Sequence, residues 1–226
     1  MTSRTPAHLG EMLDVFEERC RAQTRASYAA AHNGADYDAS KVHEERVPDG
    51  EELTFFHSHV LPKTSLRTFA AFMVRAPIPV DLTTVSIAVV LMLRYNATHP
   101  VTAHMMHRLF VACVLVGAKA HQDKFASNRL LGKAVGVVLV EMNRIEVTLI
   151  RALDWRLVVT QQDVNDAVVT LASPCGASFG SASADSMYAP HDGNTVLLLR
   201  WYAAAAGSTS PNPDVRETGQ REMPCA

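Results

Sequence analysis

The chain has 226 residues, of which 48% are hydrophobic and 19% are charged, with a formal net charge of -2. This composition is typical of a globular protein with one packed core. The near-neutral charge argues against a nucleic-acid partner, because such partners are bound through concentrated positive charge. The longest apolar runs reach only about ten residues, half of what a bilayer span requires, so we expect a soluble protein without a membrane segment.

The N-terminal part is predicted to be one helix followed by a linker. In residues 7–31 apolar side chains recur at steps of three and four, at Leu9, Met12, Leu13, Phe16 and Cys20. The first twenty residues lack the apolar core of a signal peptide. Residues 32–50 are rich in Gly, Asp, Asn and Ser, which predicts a linker with a domain boundary near residue 50. The first predicted domain is therefore 1–50.

Residues 51–172 are predicted to be an all-α domain. Residues 53–60 are predicted to be a short helix before Pro62. Five main helices follow, predicted at 65–76, 80–99, 109 to about 119, 127–136 and 139–153. Ser65 or Thr64 is the expected N-cap of the first, and Ser127 or Asn128 that of the fourth.

The third of these helices is predicted to be central, because Leu109 to Ala118 is an unbroken uncharged run. Such a helix is apolar on every side, which is typical of a helix surrounded by others. Its Ala112, Gly117 and Ala118 would let neighbouring helices approach closely. The sequence therefore predicts an all-α fold of five helices with the third buried at the centre.

The C-terminal part, 173–226, is predicted to contain a flexible loop, a short docked helix and a disordered tail. Residues 173–194 are rich in Ser, Gly and Ala, residues 195–206 are apolar, and the rest is polar. The four cysteines have no metal-binding or redox spacing, and Cys113 is predicted to be a core residue. Unpaired cysteines favour an intracellular compartment, although the sequence does not distinguish cytoplasm from nucleus.

No catalytic or metal-binding motif of the sequence is complete. His57 with His59, and His104 with His107, lack accompanying Asp, Glu or Cys ligands, so we interpret them as surface or capping histidines. The run from Gly132 to Ala134 lacks the other residues of a phosphate-binding loop. We therefore predict no enzyme, no metal, no cofactor and no small-molecule substrate.

The run "MVRA", residues 73–76, offers a substrate-docking patch as an alternative interpretation. In context these residues end an amphipathic helix, and Phe72 and Met73 are predicted to be core. Gly132 and Gly136 form a GxxxG pattern, which in this setting indicates a turn or close packing.

Seven short motifs, taken together, carry a family resemblance. In chain order they are His107-Arg108-Leu109, Gly117-Ala118-Lys119, Phe125-Ala126-Ser127-Asn128, Lys133 to Gly136, Glu141-Met142-Asn143, Ile145-Glu146 and Leu153-Asp154-Trp155. Their order and spacing resemble the cyclin box, in particular the short single-box cyclins of the phosphate-pathway (P/U) type. Phe72 and Arg75 look like the end of that family's first box helix, so the likeness covers about residues 53–160.

The resemblance implies a surface that binds a cyclin-dependent kinase. In cyclins a lysine at the end of the third helix and a glutamate in the fifth lie side by side. They hold the loop and helix that position the kinase's active-site glutamate. The resemblance implies these roles for Lys119 and Glu146, and apolar kinase contacts for Ile150, Trp155 and Leu157.

Two positions near the expected kinase contact depart from the family pattern. Ala120 stands where the family usually has a large aromatic residue. Gln122 replaces one member of the usual acidic pair and leaves Asp123 as the other. Because of both departures, the kinase that is bound, or the affinity for it, could differ from that of better-known members of the family.

The function implied by the resemblance is that of a regulatory cyclin subunit, which activates its kinase by binding the active conformation more tightly. A helical adaptor with the cyclin fold, or an enzyme with an unrecognised site, remain alternatives. Without the resemblance, Lys119 could simply complement a helix C-terminus, Glu146 could be solvated and Trp155 could be core. The kinase, its substrates, the process served (cell cycle, nutrient response or transcription), the oligomeric state and the role of the N-terminal helix stay open.

Overall fold

The computed structural model describes residues 9–31 and 53–172, and the regular secondary structure of these residues is entirely α-helical. Its helices are α1 (Leu9–Ala31), α2 (Leu66–Arg75), α3 (Leu82–Asn96), α4 (Met106–His121), α5 (Asn128–Val135), α6 (Leu139–Ala152) and α7 (Gln161–Ala172). The predicted all-α fold is confirmed, and α2 to α6 are its five predicted main helices. The predicted linker before residue 50 and the predicted loop, helix and tail after residue 172 lie outside the described residues.

The core is built around two adjacent helices, α3 and α4. Every residue of α4 from Leu109 to Ala118 is buried, and α4 packs against α2, α3, α5 and α6. The prediction of a central third box helix is confirmed, and Cys113 is buried in it as expected. Helix α3 is buried just as completely from Thr84 to Leu93, since α4, α1 and α7 pack around it.

Helix α1 is fastened to the rest of the bundle by buried polar contacts as well as by its apolar stripe. The Glu17 carboxylate accepts a hydrogen bond of 2.7 Å from the Leu66 backbone N–H. This N–H belongs to the first residue of α2 and has no partner within that helix, so the negative charge complements the helix N-terminus. Arg21 neutralises the same carboxylate at 2.9 Å. On the next turns, Thr24 Oγ1 accepts from Ala103 N at 2.8 Å.

The predicted helix at residues 53–60 is wrong, because this segment forms a turn. His57 N donates to Thr54 O at 3.1 Å, and the His57 ring accepts from Thr54 N at 2.9 Å. These local bonds give the backbone partners that a helix would otherwise supply. The turn also aims Phe56 into the core, where its ring meets Tyr95 edge-on at 5.4 Å between centroids.

Two histidines are buried, so their interpretation as surface or capping residues is wrong. His104 is 0% exposed and His107 is 6% exposed. The His107 Nε2 atom lies 2.8 Å from the carbonyl oxygen of Thr64, and since a carbonyl can only accept, Nε2 carries the proton. The other ring nitrogen is buried beside the Phe69 ring, and no described residue bonds to it. Burial lowers the pKa of His107 below its ordinary value of 6.5, although the bond to Thr64 opposes this shift.

Acidification is expected to cost stability through His107. The unfolded chain binds a proton at this ring near pH 6.5, whereas the folded chain binds it only at lower pH. The contribution of His107 is therefore complete above pH 6.5 and is lost as the pH falls from that value toward the folded pKa. Denaturant unfolding at pH 7.0, 6.0 and 5.0 measures the free energy of unfolding of the parent and of His107→Gln. We expect the parent to lose more stability over this range than the variant. The exposed His59→Gln variant is the control and should lose as much stability on acidification as the parent. An equal loss in His107→Gln would contradict the assignment.

Two glycines are required where helices approach closely. At Gly117 an added Cβ would lie 2.7 Å from Ile87 Cγ2, so the predicted close approach on α4 is confirmed for the α3–α4 contact. At Gly132 it would lie 2.5 Å from the Val137 carbonyl oxygen and 2.9 Å from Met142 Cγ. The GxxxG pattern thus marks both close packing at Gly132 and a turn at Gly136, which ends α5 with a φ of 75°.

Gly132→Ala is expected to lower the free energy of unfolding by about 2 kcal/mol. Alanine favours a helix over glycine by about 1 kcal/mol, but here the new methyl group overlaps a backbone oxygen, which must move with the turn between α5 and α6. Chemical denaturation measures the change. Gly136→Ala is the matched control, since its methyl group meets no atom within 4 Å and only the left-handed backbone is penalised. A Gly132→Ala protein at least as stable as the parent would rule out this packing.

The buried face of α2 differs in one residue, Phe72, from the face predicted by the sequence. Met73 is buried, as predicted, whereas Phe72 is 50% exposed and is not a core residue. The buried side chains of α2 are Leu66, Ala70 and Met73, which follow the 3–4 spacing of a single stripe. Phe72 lies one step off that stripe, so its ring faces solvent. The N-cap of α2 is Ser65, whose side chain accepts from Thr68 N.

Candidate functional site on α4 and α6

Lys119 lies at the point where α4 leaves the core. The helix is buried up to Ala118, and the Lys119 side chain is 31% exposed. A buried helix holds the backbone of Lys119 firmly, while the ammonium group emerges at the surface beside α6. The helix continues for two exposed residues and ends at His121. His121 Nε2 then accepts a hydrogen bond of 3.1 Å from Val159 N, which ties this end to the segment after α6.

Lys119 and Glu146 form an ion pair, with 2.5 Å between Lys119 Nζ and Glu146 Oε1. The other carboxylate oxygen of Glu146 accepts a bond of 2.6 Å from Asn128 Nδ2. Asn128 Nδ2 also donates to Asn143 Oδ1 at 2.8 Å. Three helices, α4, α5 and α6, therefore meet at one polar cluster, which we call the Lys119–Glu146 cluster and which comprises these four residues.

The Lys119–Glu146 cluster has unused hydrogen-bonding capacity. An ammonium group carries three donors and a carboxylate accepts about four bonds, so each can bind a further group after pairing with the other. Charge-assisted bonds of this kind are the strong ones, and backbone N–H and C=O groups at the end of a docked helix would be suitable partners. Glu146 is only 15% exposed, which limits the number of orientations its carboxylate can adopt.

The other residues implied by the resemblance surround the cluster without bonding to it. Ile150 is half-buried one turn after Glu146, on the same side of α6. Asp123 is exposed in the bend after α4. Leu157 is half-buried in the segment after α6, and no hydrogen bond among residues 53–172 links it, Ile150 or Asp123 to the ion pair.

Trp155 is the most exposed large hydrophobic side chain among the described residues, at 73%. It is therefore not a core residue, which was the alternative left open by the sequence. Trp155 has a φ of 60° and the preceding Asp154 a φ of 49°, both in the left-handed region. Such a backbone costs a non-glycine residue about 1–2 kcal/mol, so the surrounding structure must hold it in place.

Arg94 supplies much of that support. It is the single charged residue of α3, and its Nη1 donates to the carbonyl oxygens of Arg156 at 3.1 Å and Val158 at 2.8 Å. Its Nη2 pairs with Asp163 of α7 at 2.9 Å. The segment carrying Trp155 is thus clamped between α3 and α7.

The Gln122 departure has a clear structural role. Gln122 Nε2 donates to Asp81 Oδ1 at 3.1 Å and to Thr84 Oγ1 at 2.6 Å. Asp81 is the N-cap of α3, so this amide joins the end of α4 to the start of α3. A carboxylate in place of Gln122 would put two negative charges together at that cap, which glutamine avoids.

The sequence analysis did not predict a role for Arg94. It predicted Asn128 as a candidate N-cap and as part of a motif, but not as a partner of Glu146. The N-cap of α5 is Ser127, and Asn128 instead uses its side chain in the Lys119–Glu146 cluster. A lone arginine in an otherwise apolar helix is a usable signal, because a charge there needs a partner. Asn128 carries no comparable local signal, since its partners come from α6.

Within 9–31 and 53–172 no group of three or more His, Cys, Asp or Glu side chains is placed to hold a metal ion. In the same ranges no helix has both the length and the apolar character needed to cross a membrane.

Comparison with known proteins identifies the family. The cyclin family model matches residues 9–157. Cyclin-P3-1 of Oryza sativa subsp. japonica is 33% identical over 109 residues, covering 47% of this chain and 46% of that protein. Cyclin-P1-1 of the same plant is 34% identical over 62 residues, covering 27% of this chain and 24% of that protein. Cyclin-U3-1 of Arabidopsis thaliana is 35% identical over 57 residues, covering 25% of this chain and 26% of that protein.

The all-helical box and the family match define the class of protein: the chain belongs to the cyclin family. Its relatives place it among the cyclins of the P/U type, as the sequence motifs predicted. The chain spans less than half the length of each of these relatives. The family match starts at Leu9 and so includes α1, whereas the resemblance seen in the sequence began near residue 53. Cyclins are regulatory rather than catalytic proteins, which fits the expectation of a non-enzyme.

Proposed function

We propose that this cyclin binds and activates a cyclin-dependent protein kinase through the Lys119–Glu146 cluster and its surroundings. The observation that carries the proposal is the ion pair itself, in which the end of a buried helix presents an ammonium group against a mostly buried carboxylate. Asn128 steadies the carboxylate from the opposite side. The cluster is thus preorganised, and a partner that binds it loses little side-chain freedom.

The surroundings of the cluster suit a protein partner better than a small molecule. Ile150 and Leu157 add half-buried apolar surface, and the exposed Trp155 adds a large side chain of the kind that anchors interfaces. Asp123 adds a negative charge beyond the end of α4. A docked kinase helix would place apolar side chains against these residues and its terminal backbone groups against Lys119 and Glu146.

Activation follows as a shift in population. If the cyclin binds the active arrangement of the kinase more tightly than the inactive one, the equilibrium moves toward the active form by that difference in affinity. No reacting group from the cyclin is required. Such a partner would place the protein inside the cell, in the cytoplasm or the nucleus.

The test is a pull-down from the source cell with the intact chain and with the charge-swap variant Lys119→Glu/Glu146→Lys. The swap keeps an ion pair between α4 and α6 and reverses only the polarity offered to a partner. We expect the intact chain to bring down a cyclin-dependent kinase that phosphorylates a generic substrate, and the swap to bring down much less.

An intact chain that recovers a protein partner but no kinase activity would favour the adaptor function instead. Equal kinase recovery by the folded swap variant would leave the kinase function standing and would remove the Lys119–Glu146 cluster from the interface.

A further inference from the structure

A second surface feature lies on α6 beside the cluster, and Asn143 of the cluster also lines it. It is an open groove of about 400 Å³ between α6 and the turn at residues 54–57. Val140 and Val147 are exposed on its α6 side at 60% and 46%, and Phe55 is exposed on the opposite side at 53%. We call this feature the Phe55 groove. Scattered exposed apolar residues are ordinary, but three that line one concave surface are a feature of binding sites.

Two arginines of α6, Arg144 and Arg151, line the Phe55 groove with these apolar side chains. Arg144 lies over the Phe55 ring, with its guanidinium carbon 5.7 Å from the ring centroid. No salt bridge joins Arg144 or Arg151 to an acidic side chain of the described residues. The nearby Glu141 is instead paired with Arg108, at 3.5 Å. The groove therefore combines exposed apolar side chains with two positive charges that no carboxylate of the described residues neutralises.

The turn that forms the other wall is held firmly in place. Arg108 of α4 donates from Nε to the Phe55 carbonyl oxygen at 3.1 Å. The neighbouring Phe56 is fully buried against Tyr95. Phe55 therefore faces the groove from a fixed backbone, and the shape of the groove is present before any partner arrives, which lowers the entropic cost of binding.

We propose that the Phe55 groove binds an acidic peptide segment, in which an apolar side chain is flanked by carboxylates. The apolar side chain would enter between Phe55 and Val147, and the carboxylates would form bidentate bonds with Arg144 and Arg151. Arg144 and Arg151 are seven residues apart, two turns or about 10.5 Å along the helix. In an extended peptide residues i, i+2 and i+4 share one face, so carboxylates at i and i+4, about 13 Å apart, can reach both arginines while an apolar residue at i+2 enters the groove.

The two arginines of the groove lie on a different side of α6 from Glu146. At 100° per residue, Arg144 and Arg151 lie within about 20° of one another and roughly 140–160° around α6 from Glu146. A kinase bound at Glu146 and a peptide bound at Arg151 would approach the helix from different sides. The proposal therefore stands apart from the kinase function and can be tested without a kinase.

The test is a selection of random 12-residue displayed peptides on the immobilised full chain, with counter-selection on the Arg144→Glu/Arg151→Glu variant. We expect the recovered peptides to be enriched in Asp and Glu around a Leu, Ile or Phe. A synthetic peptide of the recovered sequence should lose at least tenfold in affinity with the variant by fluorescence anisotropy. Lys63→Glu/Lys133→Glu, which reverses two exposed charges outside the groove, should change the affinity less than twofold.

Two further variants make the outcome decisive. Phe55→Ala keeps both arginines and should also weaken the peptide about tenfold, which tests the groove even if the double charge reversal fails to fold. The charge-swap Lys119→Glu/Glu146→Lys should bind the peptide as the parent does. Failure to recover any peptide, peptides without acidic residues, or affinity unaffected by the arginine and Phe55 variants would overturn the proposal.

Discussion

Lys119→Glu is expected to weaken binding to the proposed kinase partner by about 3 kcal/mol, or more than a hundredfold. The substitution removes the donor that the partner's backbone would use and places a second carboxylate beside Glu146, which now lies 2.5 Å from the ammonium group. A negative charge would then face partner groups that were arranged to accept from a positive one. Isothermal titration with the purified kinase measures the change.

The stability of the variant separates this effect from damage to the fold. A partly exposed ion pair contributes only about 1 kcal/mol or less to folding, so Lys119→Glu should still fold. Adding Glu146→Lys restores an ion pair inside the cyclin and should recover most of the lost stability, while kinase binding stays weak. Recovery of binding along with stability would mean that the cluster serves only to join α4 and α6.

Trp155→Ala is expected to weaken the same complex by at least 2 kcal/mol while leaving the stability of the free cyclin almost unchanged. Tryptophans that become buried in a complex are among the commonest interface anchors, so loss of the ring should weaken binding. In the free protein Trp155 is 73% exposed, so its ring has little packing to lose and the stability should hardly change. Affinity by titration and thermal unfolding of the free protein, measured on the same samples, test both halves of the prediction.

Two matched variants make the Trp155 result specific. Val158, three residues later, is equally exposed at 72%, and Val158→Ala should change the affinity little. Trp155→Gly should lose binding as alanine does, yet stabilise the free protein by about 1 kcal/mol, because glycine adopts a φ of 60° without strain. An affinity unchanged by either Trp155 substitution would remove this residue from the interface.

Hydrophobic periodicity was enough to predict α1 and the five main helices within a few residues of their ends. It works there because each helix buries one stripe or its whole surface, as at Met142, Ile145 and Leu149 on α6. It failed at residues 53–60, where apolar density comes from a turn that buries Phe56 rather than from a helix. Helix α7 was not distinguished as a separate element, since of its apolar residues only Ala167 and Leu171 are buried.

The candidate site also contains residues that could be predicted from the sequence and residues that could not. Lys119 and Glu146 could be nominated from the sequence because a family resemblance supplied their roles, and the structure brings their side chains together. The residues that support them could not be nominated. Asn128 reaches Glu146 across eighteen positions of the chain, and Arg94 reaches Arg156 across sixty-two. Spacing along a sequence carries information on neighbours within a helix but not on partners contributed by another helix.

The sequence by itself determined that this is an all-α protein of the cyclin family, with a buried central helix whose apolar run is followed by a lysine. Local periodicity, caps and motif order contain that information. Only the tertiary structure decided which polar groups meet: Glu146 between Lys119 and Asn128, Glu17 at the start of α2, and Arg144 and Arg151 beside Phe55. Those contacts depend on how close-packed helices are rotated against one another, which the whole core sets at once and no single segment encodes.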